Sequence, residues 1–252
     1  MALFSDSTLS SLQDLQAYES SILEIASVEK VNLEVKLRLA HQEIKNLIQQ
    51  FLVDQTANLN EKPAIQIEQI AVTDALKEWH VLHALNLTLR DCYHNQLNDR
   101  YEKKWQEYQK KSEQSAIRFF DTGAGIVWNP VPRAEKPVLE RASGTLEVGS
   151  YEVYIAWLNQ NLIEGEPSPP LIFETNDGSV PVLRVENIPS TAHFWNVYMC
   201  EIGKVPTRQN VVEIPVHSSW TMTGNELLTG KQVESGQAPD YFLRIMHQIK
   251  RG

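Results

Sequence analysis

The feature that most constrains this chain is the placement of its glycines and prolines. Residues 1–122 contain no glycine and one proline, Pro63, whereas residues 123–252 hold all 11 glycines and the remaining prolines. Both residue types disfavour helix interiors, so the first half is free to be helical, while frequent turn formers in the second half favour short strands. We therefore predict an α+β fold of two domains, with an N-terminal α-helical bundle over residues 1–122 followed by a β-domain.

Local patterns place the first helices. Two capping-box spacings predict short helices over residues 10–19 and 21–29, and Asn32 is a good N-cap for a third helix that ends before a loop at 54–63. The boxes run from Ser10 to Gln13 and from Ser21 to Glu24. The apolar residues of the third helix are spaced by threes and fours, as one face of an amphipathic helix requires: Leu33, Leu37, Ala40, Ile44, Leu47, Ile48 and Phe51.

A second helical pattern runs from about Ile65 to Phe119. It is either one very long helix or two helices, and the polar segment 93–99 is where we place a joint. Gly123 is predicted to cap the C-terminal end of this pattern, because glycine readily adopts the positive φ angles found there.

The second half changes from a helical period to a period of two. Tyr151, Val153, Ile155 and Trp157 share one face of a predicted strand. Asn176-Asp177-Gly178 lies between two further strands, at 171–174 and 180–185, and is a strong hairpin signal that predicts their pairing. Additional short strands are predicted at 194–200, 210–214 and 220–223. Together they predict a β-sandwich over residues 137–231, preceded by a linker at 123–136.

Composition excludes several classes of protein. The net charge of -9 argues against a protein that binds duplex DNA. Cys92 and Cys200 are the only cysteines, so we expect two buried thiols in a reducing compartment and no disulfide framework. No stretch reads as a signal peptide or a membrane span, and we expect a soluble, unsecreted protein that does not bind membranes.

Candidate catalytic and metal-binding residues are few. His80 and His83 share a helix face, and Cys92 and His94 follow them. At a rise of about 1.5 Å per residue, His80 and Cys92 lie about 18 Å apart on a straight helix, too far to share one zinc ion. The chain also lacks Gly-x-Ser-x-Gly and His-Glu-x-x-His signatures. We therefore expect that the protein is not an enzyme, has no catalytic residue, and binds no metal or cofactor.

The C-terminal segment, residues 232–252, combines a flexible start with an amphipathic pattern. A short helix with a basic end is predicted after Asp240, and its apolar residues are candidates for docking on a partner: Phe242, Leu243, Ile245, Met246 and Ile249. A tail of this kind either folds back on its own sandwich or inserts into a groove of another chain.

Several segments resemble neck proteins of tailed bacteriophages. Residues 97–108 (LNDRYEKKWQEY) and 122–132 (TGAGIVWNPVP) are similar to the junction between the helical core of a head-to-tail adaptor and an appended β-domain. Residues 150–159 (SYEVYIAWLN), 164–169 (EGEPSP) and 194–200 (FWNVYMC) are similar to strands of fibronectin type III-like or immunoglobulin-like modules in phage structural proteins.

This resemblance implies a structural virion protein of the neck. It implies a homo-oligomeric ring, commonly of twelve copies, which assembles in the host cytoplasm, docks on the portal protein through the C-terminal helix, and receives the tail or its connector below. DNA would pass through the ring without specific binding, since an acidic lumen repels phosphates.

Two other functions stay open on the sequence. The β-sandwich could bind a host surface ligand, with the protein acting as a tail, fibre or baseplate component. Alternatively, His80, His83 and Cys92 could hold a metal in an enzyme. Portal binding that depends on the C-terminal segment would favour the neck protein, and stoichiometric zinc in the purified protein would favour the enzyme.

Overall fold

The computed structural model describes residues 1–6, 9–57, 65–96 and 99–244. The chain divides into two compact units. The helical unit comprises Ser7–Val127 with Pro239–Gly252, and the β unit comprises Met1–Asp6 with Trp128–Ala238. The prediction of a mixed α and β protein, helical first and antiparallel β afterwards, is confirmed.

Five helices form the described part of the helical unit. They are α1 (Leu12–Tyr18), α2 (Ile22–Glu29), α3 (Leu33–Ala57), α4 (Asp74–Gln96) and α5 (Glu102–Thr122), with 3-10 turns at Ile67–Gln69 and Asp99–Tyr101. The long second pattern is therefore two helices. Asn32 caps α3 by accepting a hydrogen bond from the Val35 backbone N–H at 3.1 Å, and Gly123 caps α5 with a φ of 105°. Both caps confirm the sequence analysis.

Both predicted capping boxes are wrong. Ser21 is the N-cap residue of α2, but its side chain makes no capping hydrogen bond. The capping box of α1 runs from Ser11 to Asp14, one residue later than the predicted box that begins at Ser10. Asp14 accepts a hydrogen bond from the Ser11 backbone N–H at 2.7 Å, which a neutral glutamine at the preceding position would make less strongly. Ser10 is thereby left to bond elsewhere in the unit.

Helix α4 lies at the centre of the helical unit, because its side chains are buried on nearly all sides. Helices α3 and α5 pack against it. At one end of the bundle, Trp79 of α4 contacts Phe119 and Phe120 of α5 with ring centroids 5.5 and 5.6 Å apart, and Phe51 of α3 contacts Phe120 at 5.0 Å. These aromatic contacts join the three long helices.

A two-stranded sheet completes the helical unit. Strand β1 (Ala124–Ile126) follows α5 inside the segment predicted as a linker, and it pairs antiparallel with β10 (Tyr241–Leu243). A Cβ atom at Gly125 would lie 2.7 Å from Pro239 Cγ, so glycine is needed for this close approach. The predicted C-terminal helix is therefore wrong at its start, where Phe242 and Leu243 are in a strand. Its remaining residues lie outside the described part of the chain.

The β unit contains two antiparallel sheets. Its strands are β2 (Val138–Ala142), β3 (Gly149–Leu158), β4 (Leu171–Thr175), β5 (Val180–Arg184), β6 (Phe194–Glu201), β7 (Thr207–Arg208), β8 (Ile214–Pro215) and β9 (Trp220–Thr221). One sheet has the order β4-β3-β6-β7, with β8 also pairing to β6, and the other has the order β2-β5-β9. Tyr151, Val153, Ile155 and Trp157 are all buried, which confirms the predicted face of β3.

Two predictions for the β unit are wrong. The segment Asn176-Asp177-Gly178 does not join paired strands, because β4 pairs with β3 whereas β5 pairs with β2 and β9. The turn instead carries the chain from one sheet to the other, and the Gly178 carbonyl accepts a hydrogen bond from Leu146 N. Residues 210–213, predicted as a strand, form the loop between β7 and β8.

Candidate functional site: a cleft and two histidine networks in the helical unit

The main candidate site is a cleft of about 300 Å³ between α4 and α5. Leu47 of α3 and Trp105 of α5 contribute apolar surface to it. Its polar groups come from two helices: His83, Asn86 and Arg90 on α4, and Gln109, Ser112 and Glu113 on α5. Asn86 Oδ1 is buried and has no hydrogen-bond partner among the described residues.

His83 links three helices at the edge of this cleft. Its Nε2 lies 2.7 Å from Glu43 Oε2 of α3, and its Nδ1 lies 3.1 Å from Ser112 Oγ of α5. Because an ionised carboxylate can only accept, Nε2 carries the proton. In the neutral ring, Nδ1 then accepts a hydrogen bond from the Ser112 hydroxyl.

A carboxylate, an imidazole and a serine in series are the groups that activate a nucleophile in hydrolases. Such catalysis also needs hydrogen-bond donors about 3 Å from the developing oxyanion. Ser112 lies in the middle of α5, where helix hydrogen bonds engage the backbone N–H groups, and its residue is buried. The geometry therefore supports a hydrogen-bond network that holds α3, α4 and α5 together. It does not support a role for Ser112 as a nucleophile.

His80 forms a second network in the interior of the unit. The residue is fully buried, its Nε2 donates to the Leu37 carbonyl at 3.0 Å, and its Nδ1 accepts from Ser10 Oγ at 2.6 Å. Burial lowers the pKa of His80 to about 4, because the charged ring loses its hydration. His80 is therefore a neutral core residue that ties α3 and the segment before α1 to α4.

The predicted metal-binding residues are not brought together. His80 and His83 bond to serine, backbone and carboxylate groups, and burial raises the pKa of the Cys92 thiol to about 11. In the described ranges, no group of three or more His, Cys, Asp or Glu residues could hold a metal ion. Cys92 and Cys200 are both buried free thiols, as expected from the sequence.

No family model matches this sequence, and no curated protein matches it. Within the residues that the structure describes, no helix is long and apolar enough to cross a membrane. The surfaces of the two units are therefore the remaining guide to function.

The predicted docking residues divide between described and undescribed parts of the chain. Phe242 is half exposed and Leu243 is partly buried, both in β10. Ile245, Met246 and Ile249 lie outside the described residues. Beside β10, Arg244 Nε donates a hydrogen bond to the Thr122 carbonyl at 3.0 Å, so the chain after the strand starts at the C-terminal end of α5.

A second apolar surface was missed in the sequence analysis. Val35, Leu39 and Leu47 are exposed along α3, with Glu43 between the last two, and we call this set the α3 outer row. Leu47 was predicted to be in the core, but half of its surface is exposed. The spacing of four residues that marks the outer row was present in the sequence. The sequence analysis assigned Leu47 to the buried face of α3 because the next residue, Ile48, belongs to that face.

Two serines on α5 allow a direct test of the His83 network. Ser112→Ala is expected to lower the free energy of unfolding by about 1 kcal/mol, because it removes the hydroxyl that donates to His83. Ser115 is also buried, but its hydroxyl has no partner among the described residues. Ser115→Ala is therefore expected to be neutral or stabilising. Urea unfolding of both variants measures the difference, and equal losses would contradict the network.

Proposed function

We propose that this protein is a structural component of the neck of a tailed bacteriophage. In this proposal it forms a ring adaptor, commonly of twelve copies, that docks on the portal protein and joins the head to the tail or its connector. It assembles in the host cytoplasm, becomes part of the virion, and conducts DNA without binding it. The protein has no enzymatic role and needs no cofactor.

The observation that carries this proposal is the α3 outer row. A helix normally turns its aliphatic side chains inward, yet four large aliphatic residues, the three of the outer row and Val53, lie exposed along the 25-residue α3. Glu43 interrupts the row between Leu39 and Leu47, and the exposed apolar side chains on either side of it favour association with another chain. An assembly protein needs such a face on each copy, whereas an enzyme needs a site with accessible reactive groups.

Two further features support the proposal. The networks of His80 and His83 consist of groups that bond to one another within the bundle, as expected for a rigid building block. The net charge of -9 is multiplied by the number of copies in a ring, and an acidic lumen keeps DNA phosphates from binding to the wall.

The finer fold belongs to the same proposal. We propose that the β unit is an immunoglobulin-like or fibronectin type III-like sandwich. In support, buried residues of both sheets belong to one hydrophobic cluster, with Leu183 of β5 in the same cluster as Val153 of β3 and Trp195 of β6. In a ring, such a domain would decorate the outside or brace neighbouring neck proteins.

One observation favours a second function for the β unit. Val211 and Val212 are 85% and 70% exposed at the tip of the β7–β8 loop. The buried Asn210 holds this loop, since its Oδ1 accepts from Val197 N and its Nδ2 donates to Asn196 Oδ1, both at 2.8 Å. A rigid loop with an apolar tip suits the recognition of a surface ligand, as in a tail, fibre or baseplate component.

Mass measurement and negative-stain imaging test the ring. We expect the protein to form closed rings when it is mixed with a candidate portal protein and to stay monomeric alone, since association with the portal supplies the missing contacts. The double variant Val35→Lys/Leu39→Lys is expected to lose ring formation, because it places charge on the exposed apolar residues of α3 without touching the α4–α5 cleft. A mixture in which the wild-type protein neither forms rings nor binds the portal would overturn the proposal.

A matched control separates the apolar face from the added charge. Gln42→Lys/Gln49→Lys adds the same two positive charges to exposed positions of α3 outside the outer row. This variant is expected to form rings like the wild type. If both double variants lose ring formation equally, charge and not the outer row determines association.

A further inference from the structure

We infer that residues 245–252 occupy the α4–α5 cleft of their own helical unit in the free protein. The candidate occupant follows from where the described chain ends. Strand β10 runs antiparallel to β1, so that Tyr241 lies opposite Ile126 and Leu243 lies opposite Ala124. The chain is therefore directed back towards the end of α5, and the hydrogen bond from Arg244 to Thr122 places it there.

The eight residues after Arg244 are long enough to reach the cleft. Ala116, which lines the near end, is six residues before Thr122 on α5, a distance of about 9 Å along the helix axis. Gln109 lies about 20 Å from Thr122 by the same measure. An extended chain of eight residues spans up to about 26 Å, and a helical one spans about 12 Å. Both conformations reach the near end of the cleft.

The chemistry of the segment matches that of the cleft. Ile245, Met246 and Ile249 are apolar, and the cleft offers the apolar surfaces of Leu47, Trp105 and Ala116. Burial of these surfaces favours docking by a free energy of about 25 cal/mol for each Å² of apolar area removed from water. Methionine suits an irregular cleft, because its unbranched side chain adapts to the shape available.

The polar groups of the cleft also fit this occupant. Asn86 Oδ1 is a buried acceptor without a donor among the described residues, and a buried group of this kind is normally satisfied. Backbone N–H groups and the side chains of His247 and Gln248 can supply that donor. The carboxylates of Glu43 and Glu113 lie beside or in the cleft, where they can pair with Lys250 and Arg251.

Disulfide trapping tests the inference in the full-length protein. Glu113→Cys places a thiol in the cleft about 14 Å from Thr122, and Ile249→Cys places one in the segment, about 8 Å beyond Arg244 if the segment is helical and about 17 Å if it is extended. The two native thiols do not interfere, because both are buried and burial raises the pKa of each to about 11. Under mild oxidation we expect an intrachain disulfide in most molecules, seen as a faster-migrating monomer on a non-reducing gel.

A control at the neighbouring position of α5, at nearly the same distance from Arg244, distinguishes docking in the cleft from random collision of the two thiols. Gln114 is exposed on the opposite side of α5 from the cleft, and Gln114→Cys with Ile249→Cys is expected to cross-link at least fivefold less. Replacing Ile245 and Met246 by aspartate in the Glu113→Cys/Ile249→Cys protein is expected to reduce cross-linking to the level of this control.

Three outcomes would overturn the inference. These are equal cross-linking at positions 113 and 114, cross-linking that survives the two aspartates, and disulfides found mainly between chains. The last outcome would assign the cleft to the tail of another copy. Circular dichroism of each variant checks that the helical unit is intact. The test is independent of the portal, so its failure leaves the proposed neck function standing, and the reverse is also true.

Discussion

Trp195→Ala is expected to lower the free energy of unfolding of the β unit by about 3–5 kcal/mol, the usual range for removing a large aromatic side chain from a packed core. Trp195 of β6 is fully buried within the hydrophobic cluster that both sheets share. Its indole Nε1 also donates a hydrogen bond to the Pro215 carbonyl at 3.2 Å, which helps to hold β8 beside β6. The variant loses both the packing and this bond.

The matched control for this prediction is Trp128→Ala in the same unit. Trp128 is about half exposed, so its removal creates no enclosed cavity and is expected to change stability by less than about 1 kcal/mol. Urea unfolding followed by far-UV circular dichroism compares the two variants. A loss at Trp195 no greater than at Trp128 would mean that the two sheets do not share a tightly packed core.

The helical unit is expected to lose about 3 kcal/mol of stability between pH 6.5 and pH 4 because of His80. The pKa of His80 is lowered to about 4 by burial, whereas an unfolded chain has a histidine pKa of about 6.5. Between these values the unfolded state binds more protons, so stability rises with pH. The contribution is fully present above pH 6.5 and is lost as the pH falls through that window, at about 1.4 kcal/mol for each pKa unit.

Neighbouring groups also shift the pKa of His80, some of them downwards and others upwards. His41 lies edge-on to His80 with ring centroids 6.1 Å apart, and burial lowers the pKa of His41 as well. A positive charge on His41 or His83 further disfavours a charge on His80, whereas the carboxylate of Asp14 favours it. The burial of His80 is the largest of these effects.

Unfolding midpoints in urea at pH 7.5 and pH 4.5 measure this pH dependence. His80→Gln keeps polar atoms of similar size but cannot titrate, so the variant is expected to be less stable at pH 7.5 and to lose much less stability on acidification. If wild type and variant lose the same amount, other groups control the acid sensitivity.

Much of the local structure could be predicted from the sequence. Asn32 and Gly123 were recognised as caps, because capping depends on a side chain or a φ angle at one position and on the residues next to it. The buried face of β3 was recognised because alternation of apolar residues is a property of the strand itself. The break before α5 was expected from the run of polar residues at 93–99.

Pairings and burial could not be predicted in the same way. Asn176-Asp177-Gly178 has the composition of a hairpin turn, but whether its flanking strands pair depends on which sheet offers each strand an edge. Phe242 was expected in a helix from its spacing to later residues, yet three residues of β10 pair with β1. The strand can form there because Gly125, 117 positions before Phe242, has no side chain and leaves room for Pro239.

The candidate site illustrates the same limit. His80 and His83 were singled out correctly as a pair on one helix face, but their partners Ser10, Leu37, Glu43 and Ser112 are at least 29 positions away along the chain. Such contacts leave no periodic signal in the sequence.

By itself, the sequence determined that the chain is helical before residue 123 and made of short strands after it, since glycine, proline and apolar periodicity act through the local backbone. Only the tertiary structure decided which strands pair, that Leu47 faces outward, and that the histidines form networks within the bundle. The physical reason is that pairing and burial depend on surfaces from distant parts of the chain, and these surfaces meet only when the chain has folded.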